Sequence, residues 1–464
     1  MTRFAWLAVL LVGCPTPEPP PDLPPGDDDD VVDDDDTGDD DDTPSLDERL
    51  ATALAEQDDP PTALVAVEHD PALVALGQAL FFDPILSGNG DVACASCHHP
   101  AWGLSDGLSL TLGTGATGTG PARADGDHPP FVPRHSLELS NRGDPAWRSL
   151  FWDGRVAQTD AGLTTPAGLD PLPGLSGVLA AQALFPVLDP AEMRGQPGDL
   201  TAWGEPNELA ALTEPTAIWA ALTARLRAQP GYVDLFAAAY PGADPADWTF
   251  AEAVNAIAAW EATALSFVNT PWDQYLRGDT AALADVEKLG ALVFFGAAGC
   301  GGCHSGPLFT DQEFHATGVV QIGPGLSPDQ PFDRGRERVS GDEADAFAFR
   351  TPPLRNVAVS APYMHDGVFL TLEHAVLHYA SPETSAWQYD PADLHPDLQG
   401  TAQQGDEHIA ELVDALSPLL PQADPNLVVG LSNVREFLGA LTDPATADLS
   451  GLRPDSVPSG LPVP

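Results

Sequence analysis

The same five-residue pattern, Cys-x-x-Cys-His, occurs twice in this chain of 464 residues, at 94–98 and 300–304. In the attachment signature of c-type haem, two thiolates bond to the porphyrin and the adjacent histidine ligates the iron. The sequence therefore predicts two covalently bound haem c groups. The residues predicted to hold them are Cys94, Cys97 and His98 for the first, and Cys300, Cys303 and His304 for the second.

The remaining cysteine, Cys14, follows a short apolar segment, residues 4–12, that begins after Arg3. This arrangement is typical of a lipoprotein signal, in which residues 1–13 are removed and Cys14 is lipidated. An ordinary cleaved signal peptide is the alternative. Both predict export to the periplasm or cell envelope, and the lipid would anchor the protein to a membrane.

Residues 14–47 are rich in proline and contain runs of four aspartates at 27–30, 33–36 and 39–42. Self-repulsion and a lack of apolar side chains predict a disordered acidic tether. Such a tether would hold a folded body away from the membrane, with loose binding of divalent cations as the alternative role.

The chain as a whole is strongly acidic, with a formal net charge of −50. This charge excludes nucleic acid as a natural partner, because phosphate backbones would be repelled. It favours a small basic redox protein as an electron donor, because opposite charges steer such encounters.

The body after the tether also contains a repeat. Residues 76–82 and 289–295 both read Leu-Gly-x-x-(Leu/Val)-Phe-Phe, each in a stretch of helical apolar spacing shortly before a haem motif. This repeat predicts internal duplication of a cytochrome c-like unit. We expect a mainly α fold with long ordered loops, because glycine and proline are frequent and no run of alternating residues predicts strands.

The positions of the haem motifs suggest two domains, which suits the length of the body. We predict an N-terminal haem domain of residues 48–268, completed by 430–464, and a C-terminal haem domain of residues 269–429. Apolar periodicity predicts further helices at residues 208–227, 232–239, 250–267 and 434–441.

The chemistry of two haems depends on which iron faces are open. A haem with one open face and a nearby acid–base group can react with peroxide, because that group moves a proton between the two oxygens as their bond breaks. A haem ligated on both faces passes electrons. The informative residues are therefore the sixth ligands and a carboxylate near an open face.

Further motifs include Phe-Trp-Asp-Gly-Arg at 151–155, Glu-Met at 192–193, Pro-Trp-Asp-Gln-Tyr at 271–275 and Ala-Pro-Tyr-Met-His-Asp-Gly at 361–367. In their order and spacing they resemble the bacterial di-haem cytochrome c peroxidases and their relative MauG. The resemblance covers about residues 70–443, nearly all of the body after the tether.

The resemblance implies roles for two residues. Glu192 matches the glutamate that these enzymes hold over the open face of the N-terminal haem, where a carboxylate can shuttle a peroxide proton. Trp152 matches the tryptophan between the two haems, where an indole can relay an electron. The alternatives are an exposed surface glutamate and an ordinary core tryptophan.

One position separates the subtypes of this family at the first haem. Reductively activated members carry a histidine in the loop after the first haem motif, and it caps the iron until reduction releases it. Here Thr114 matches that position, and no histidine lies between His99 and His128. We therefore expect the N-terminal haem to be open at rest, with His128 or His135 as alternative caps.

A second position concerns the far ligand of the second haem. The family position matches Tyr379, where many peroxidases have methionine and MauG has tyrosine. A phenolate ligand lowers the reduction potential of a haem relative to methionine. Met364 and His378 are the alternative ligands.

Two departures limit the likeness to MauG. Residues 296–299 contain no aromatic ring, whereas MauG has a surface tryptophan there that draws electrons from its protein substrate. The family also binds calcium through two carbonyls, which match Ser360 and Pro362, and an asparagine, which is matched by His135. Because imidazole is a poor ligand for a hard cation, calcium is compatible with the sequence but not predicted by it.

Taken with the resemblance, the sequence predicts an exported, lipid-anchored di-haem peroxidase. It would reduce hydrogen peroxide to water with electrons from an external one-electron donor, such as a small cytochrome or cupredoxin. A MauG-like oxidase acting on an organic or protein substrate is the alternative, and a non-enzymatic di-haem electron-transfer protein is the lesser alternative. The resemblance also allows a homodimer.

Overall fold

The computed structural model describes residues 43–124, 131–326, 330–420 and 427–464, and helices are the main regular structure there. The predicted signal peptide, Cys14, His128 and most of the predicted tether lie outside the described residues. The helices are α1 (Leu46–Ala55), α2 (Pro71–Phe82), α3 (Cys94–Cys97), α4 (Val178–Gln182), α5 (Pro215–Arg227), α6 (Pro230–Ala239), α7 (Phe250–Ala264), α8 (Pro271–Leu276), α9 (Asp285–Phe295), α10 (Glu337–Ser340), α11 (Leu372–His378), α12 (Pro382–Trp387), α13 (Pro396–Gln399), α14 (Asp406–Asp414) and α15 (Leu427–Gly439).

Two small antiparallel sheets accompany the helices. The first is a meander in chain order, and the second is a pair of short strands. These strands were not predicted, because segments of two to four residues are too short to show apolar alternation. The strands are β1 (Ser149–Leu150), β2 (Val156–Thr159), β3 (Gly162–Thr165), β4 (Gly168–Leu169), β5 (Phe314–Ala316) and β6 (Ala348–Arg350).

The helix before each haem motif crosses a second helix at a glycine. A Cβ atom on Gly77 of α2 would lie 1.9 Å from the carbonyl oxygen of Ala256 in α7. A Cβ atom on Gly290 of α9 would lie equally close, at 1.9 Å, to the carbonyl oxygen of Asn433 in α15. Only glycine permits this approach of the two backbones. The glycine of the repeated Leu-Gly sequence therefore has the same structural role in both halves.

Aromatic rings fill both crossings. The ring centroids of Phe81 and Trp260 lie 4.3 Å apart in the first, and those of Phe294 and Phe437 lie 5.3 Å apart in the second. Each crossing is the centre of its own apolar core, and both cores lie within the compact unit Pro44–Pro464.

The chain ends are divided between these cores. Leu50 of α1 and Val434 of α15 belong to the second core, whereas Leu449 and Val457 belong to the first. Helix α15, which overlaps the start of the predicted segment 430–464, thus packs with α9, the helix before the second haem motif. The domain boundaries themselves stay a prediction.

Helix α1 begins inside the predicted tether. The Ser45 hydroxyl accepts the Glu48 amide hydrogen at 3.3 Å, and the Glu48 carboxylate accepts the Ser45 amide hydrogen at 2.9 Å. This capping box starts the helix at Leu46. Asp47 also pairs with Lys288 of α9 at 2.8 Å. The first described helix therefore begins two residues before the end of the predicted tether segment, 14–47.

The other predicted helices also differ at their ends: 232–239 lies within α6 (Pro230–Ala239), and 434–441 overlaps α15 (Leu427–Gly439). The remaining two differences have local causes. The segment 208–227 is a 3₁₀ turn followed by α5, which begins at Pro215 because proline suits the first helical turn. Helix α7 ends at Ala264 rather than at 267, because the Asn141 side chain binds both the amide and the carbonyl of Phe267. In the described residues, no helix has the length and apolar character needed to span a bilayer.

Candidate functional site

The histidines of the two Cys-x-x-Cys-His motifs are held in the same way. The Nδ1 atom of His98 donates a hydrogen bond to the Leu104 carbonyl at 3.2 Å, and that of His304 donates to the Phe309 carbonyl at 3.1 Å. A histidine that donates through Nδ1 presents Nε2 as its metal-binding nitrogen. Both predicted iron ligands are therefore fixed in the tautomer that ligation requires.

The two acceptor carbonyls belong to residues with left-handed backbone, with φ of 63° at Leu104 and 56° at Phe309. This conformation is uncommon for residues with bulky side chains and is maintained only by the surrounding structure. It occurs six residues after His98 and five residues after His304, which indicates that both halves orient the histidine in the same way.

The first motif borders a cavity of about 1050 Å³. Cys97 and His98 line this cavity together with Glu192 and Trp152, while Cys94 is partly buried at the start of α3. The structure thus brings the residues predicted for the first haem and for catalysis to one place.

The second motif borders a smaller cavity, of about 180 Å³ and with mainly apolar walls. Its lining includes Cys300, Cys303, His304 and Tyr379. The ligands predicted from sequence for the second haem are therefore also brought together.

One wall is shared by both cavities. It includes Trp152, His135, Glu138 and Arg350. Trp152 is 7 % exposed, its indole Nε1 donates to the His135 carbonyl at 3.0 Å, and its own carbonyl accepts the Arg350 amide hydrogen at 2.7 Å. The ring that sequence reasoning placed between the haems thus lies between the two cavities and is fixed there.

Buried arginines beside the cavities have nitrogen atoms without partners. Arg142 Nη1 and Arg350 Nη2 are buried and make no hydrogen bond, and both residues line the first cavity. Burial and the neighbouring Arg142 lower the pKa of Arg350 to about 9. An unpaired buried guanidinium nitrogen is costly, and a carboxylate-bearing ligand would satisfy it. Together with the cysteine pairs and the oriented histidines, this donor set fits haem, whose propionates are such carboxylates.

Glu192 lies on one turn of π-helix, Pro190–Arg194, a form that often occurs at functional sites. The Asp189 carboxylate accepts the amide hydrogens of Ala191 and Glu192 at 2.7 and 3.0 Å. Burial and the charge of Asp189 raise the pKa of Glu192 to about 7, and Arg155 opposes this shift. A carboxyl group with this pKa can accept and return a proton near neutral pH.

Two polar residues that line the first cavity were given no role in the sequence analysis. Arg155 lies over the Phe151 ring at 3.6 Å and binds the Asp153 carboxylate at 3.1 Å. Gln182 is the last residue of α4. Arg155 could have been noticed within its motif, but nothing in the sequence around Gln182 distinguishes it from a surface glutamine.

Thr114 packs against the turn that carries Glu192. Its amide nitrogen donates to the Ala191 carbonyl at 3.1 Å, and its hydroxyl donates to the Pro190 carbonyl at 3.4 Å. The position at which some relatives have a capping histidine is thus occupied by a short side chain whose polar atoms bind the turn. His135, an alternative cap, has its Nδ1 bonded to the Leu108 carbonyl at 2.9 Å.

At the second cavity, both Tyr379 and Met364 line the wall. Burial, together with the neighbouring Cys303 and Cys300 thiols, raises the pKa of Tyr379. His378, the other alternative ligand, has both ring nitrogens bonded, to the Ser385 hydroxyl at 2.8 Å and the Thr317 carbonyl at 2.7 Å. The geometry therefore leaves Tyr379 and Met364 as candidates, and Tyr379 stays a prediction.

The residues considered for calcium do not form an evident site. Ser360 and Pro362 lie at the second cavity, but the His135 ring is already hydrogen-bonded. Within the described ranges, the one cluster of metal-binding side chains is Cys303, Asp311 and His315, and Cys303 belongs to the haem motif. Calcium stays untested.

A helical fold in which two Cys-x-x-Cys-His motifs each border a cavity defines a di-haem protein class. The family model "Di-haem cytochrome c peroxidase" matches residues 71–281. The chain is 33% identical to the methylamine utilization protein MauG of Methylorubrum extorquens over 310 residues, which cover 67% of this chain and 69% of that protein. It is 31% identical to the cytochrome c551 peroxidase of Pseudomonas aeruginosa over 301 residues, covering 65% and 69%.

Solved structures agree in fold. A MauG-like protein associated with microbial copper homeostasis aligns with a TM-score of 0.54 and 25% identity, covering 84% of this chain and 95% of that one. The di-haem peroxidase BthA of Burkholderia thailandensis aligns with a TM-score of 0.55 and 23% identity, covering 88% and 97%. The chain belongs to the di-haem cytochrome c peroxidase and MauG family of haem peroxidase-type oxidoreductases, so the predicted family is confirmed.

Proposed function

We propose that the protein reduces hydrogen peroxide to water at the first cavity, using electrons from an external one-electron donor. The observation that supports this most directly is the Glu192 carboxyl group, whose pKa is raised to about 7 in the wall of the cavity that also contains Cys97 and His98. Each turnover converts one peroxide, two electrons and two protons into two water molecules.

In this proposal Cys94, Cys97 and His98 hold one haem c, and Cys300, Cys303 and His304 hold the other, all cysteines through thioether bonds. Bound haem supplies iron that exchanges electrons with the peroxide oxygens. The Leu104 and Phe309 carbonyls keep the Nε2 atoms of the two histidines free for the iron. Arg142 and Arg350 would bind haem propionates through the nitrogens that lack partners.

Glu192 would move the proton that breaking the peroxide bond requires. Its carboxylate would accept a proton from one oxygen of the peroxide and donate it to the other oxygen, which leaves as water. The pKa of about 7 suits both steps, because the group is neither too weak a base nor too weak an acid at neutral pH. Gln182 and Arg155 would orient the peroxide by hydrogen bonding.

Trp152 would carry electrons between the two sites. Its ring belongs to the wall of both cavities, and its hydrogen bond to the His135 carbonyl fixes its orientation. Tyr379 would hold the second haem iron together with His304, and its phenolate would keep the reduction potential low. The strongly acidic body would attract a small basic redox protein as the donor.

We further propose that the protein is exported to the periplasm or cell envelope and is anchored by a lipid on Cys14. The sequence of residues 1–14 and the acidic tether support this proposal. Mass spectrometry of the mature N-terminus tests it: a diacylglyceryl-modified Cys14 is expected, and an unmodified terminus would contradict the anchor.

A MauG-like oxidation of an organic or protein substrate is the second candidate. It is favoured by Thr114 in place of a histidine and by Tyr379 at the second cavity. A non-enzymatic electron-transfer role is disfavoured by a cavity of about 1050 Å³ beside a carboxyl group with a raised pKa.

Peroxide consumption by the fully oxidised holo-protein, mixed with a reduced small cytochrome and without prior reduction, separates these candidates. Rapid turnover supports the peroxidase. If the protein reacts with peroxide but does not turn over, and its oxidised state persists, the MauG-like candidate is favoured. Absence of any reaction with peroxide would contradict both.

A further inference from the structure

Two loops that flank the first haem motif form hydrogen bonds with the turn that carries Glu192. Gly88 precedes the motif and Gly113 follows it. The Gly88 amide donates to the Met193 carbonyl at 2.7 Å, and the amide after Gly113, that of Thr114, donates to the Ala191 carbonyl at 3.1 Å. The carbonyls on both sides of Glu192 are therefore held by loops of the haem-binding segment.

Both contacts leave no space for a side chain. A Cβ atom on Gly88 would lie 1.8 Å from the Arg194 carbonyl oxygen, and one on Gly113 would lie 1.6 Å from the Ala191 carbonyl oxygen. Neither glycine has a positive φ. Glycine is required here by close backbone approach rather than by backbone conformation.

The two loops are themselves anchored. Arg123 donates to the Gly113 carbonyl at 3.0 Å and to the Ser96 carbonyl at 3.1 Å, so one side chain joins the loop to the haem motif. On the other side, Arg225 donates to the Ser87 carbonyl at 2.6 Å. A third contact holds the end of the turn, where Asn207 Nδ2 donates to the Arg194 carbonyl at 2.8 Å.

We propose that Gly88 and Gly113, together called the clamp, are positioning residues that set the distance of the Glu192 carboxyl group from the first haem. The proposal rests on the proposed function of Glu192 and adds to it. The contacts with the turn are made by backbone atoms of the two loops that flank the haem motif. One continuous segment, residues 87–123, would therefore fix Glu192 relative to the haem.

The experiment replaces each glycine by alanine in the holo-protein, as Gly88→Ala and Gly113→Ala. Gly451→Ala is the matched control, because a Cβ atom at that position would have no other atom within 4 Å and its φ is not positive. We expect each clamp variant to react with peroxide about 100-fold more slowly, the loss that a displacement of about 1 Å can produce. The control should react at the wild-type rate.

A double-mutant cycle separates positioning from general damage. In a Glu192→Gln background, Gly113→Ala should cause no further loss, because the group it displaces is already absent. Losses that multiply would overturn the proposal. Haem content and melting temperature, measured on the same samples, identify any variant that fails to fold. Asn207→Ala then serves in its place. It removes the hydrogen bond to the Arg194 carbonyl, together with the Asn207 bonds to Asn89, Leu209 and Ala210, without adding atoms, and should slow the reaction about tenfold.

A spectroscopic readout does not depend on turnover. The carboxyl C=O stretch of Glu192, assigned by infrared difference against Glu192→Gln, should titrate near pH 7 in the wild type. In Gly113→Ala the midpoint should fall toward the ordinary value of 4.5, because the carboxyl group moves toward water. Asp189 and Arg155 are the charged groups that act on it. An unchanged midpoint would contradict displacement.

The outcomes distinguish this inference from the proposed function. If Glu192→Gln reacts like the wild type, the role of Glu192 is wrong and the clamp is wrong with it. If Glu192→Gln is slow but both glycine variants match Gly451→Ala, the clamp alone is overturned.

Discussion

In both cavities a histidine follows a cysteine pair and donates its Nδ1 hydrogen to the carbonyl of a left-handed residue, Leu104 or Phe309. The preceding helices also match, since each crosses another helix at the glycine of a repeated sequence. The opposite walls differ. The first cavity is about 1050 Å³ with Glu192 on its wall, whereas the second is about 180 Å³, mainly apolar, and lined by Tyr379.

This difference indicates how two sites with the same local geometry can take separate roles. The side that carries the Cys-x-x-Cys-His motif is alike in both halves, because the same geometry serves any haem c. The opposite side differs: it has Glu192, the proposed proton-transferring group, in one half and Tyr379, a candidate iron ligand, in the other. The account therefore predicts that changes to the two opposite walls have separable effects.

The largest expected effect comes from removing the acid of the first cavity. Glu192→Gln should slow the reaction of the oxidised protein with peroxide by about 10²–10⁴-fold, the range that general acid–base groups contribute. Stopped-flow mixing measures this rate. Glu205→Gln is the control, because that glutamate is exposed. A wild-type rate in Glu192→Gln would remove the distinction between the two cavities.

The shared wall can be tested by Trp152→Phe, which keeps an aromatic ring but removes the indole and its bond to the His135 carbonyl. Turnover with an external donor should fall about tenfold, corresponding to about 1.4 kcal/mol of barrier. The first reaction with peroxide should be unaffected.

Trp219→Phe is the matched control for this variant. Trp219 is also buried and donates to a carbonyl, that of Leu184 at 2.9 Å, but it belongs to the first core. Equal losses in the two variants would indicate that Trp152 contributes packing alone.

The reaction with peroxide should also depend on pH through Glu192. The carboxyl group must be deprotonated to accept the peroxide proton, so the rate should rise with pH below about 7 and level off above it. Well below the pKa, the expected change is about tenfold for each pH unit. This rise of the rate with pH should be absent in Glu192→Gln. If the rise persists in that variant, another group causes it.

The smallest effect on the rate of the peroxide reaction is expected from a substitution in the wall of the second cavity. Tyr379→Met should leave the first peroxide reaction unchanged but raise the reduction potential of the second haem by about 100 mV, part of the roughly 0.8 V range set by axial ligands. Spectroelectrochemistry measures the shift. Tyr363→Phe, at a tyrosine lining the same cavity, is the control and should not shift the potential. An unchanged potential in Tyr379→Met would point to Met364.

The attachment side was predictable from sequence and the opposite walls only in part. The Cys-x-x-Cys-His motif places its reactive residues at fixed positions along the chain. Residues 94–98 and 300–304 could therefore be recognised from sequence alone. Glu192 and Trp152 carry no local signal and were identified through resemblance to a family. Their proximity depends on distant contacts, such as that of Thr114 with Ala191, which no periodicity encodes.

The clamp and the two small sheets were not predicted, for related reasons. In the sequence Gly88 and Gly113 are ordinary loop glycines. The carbonyls that they approach lie about 80 to 106 positions further along the chain, so no local pattern indicates the contact. Strands of two to four residues are too short to establish a pattern. The helices before the haem motifs, by contrast, were predicted because apolar spacing over about three turns is a strong signal.

Electron paramagnetic resonance of the fully oxidised holo-protein, before any reduction, tests the central claim most directly. The account predicts one high-spin ferric signal from the first haem, for which His98 is the one proposed iron ligand. It also predicts one low-spin signal from the second haem, for which His304 and Tyr379 are both proposed as ligands. Two low-spin signals would show that both irons are capped at rest and would contradict the functional difference between the cavities.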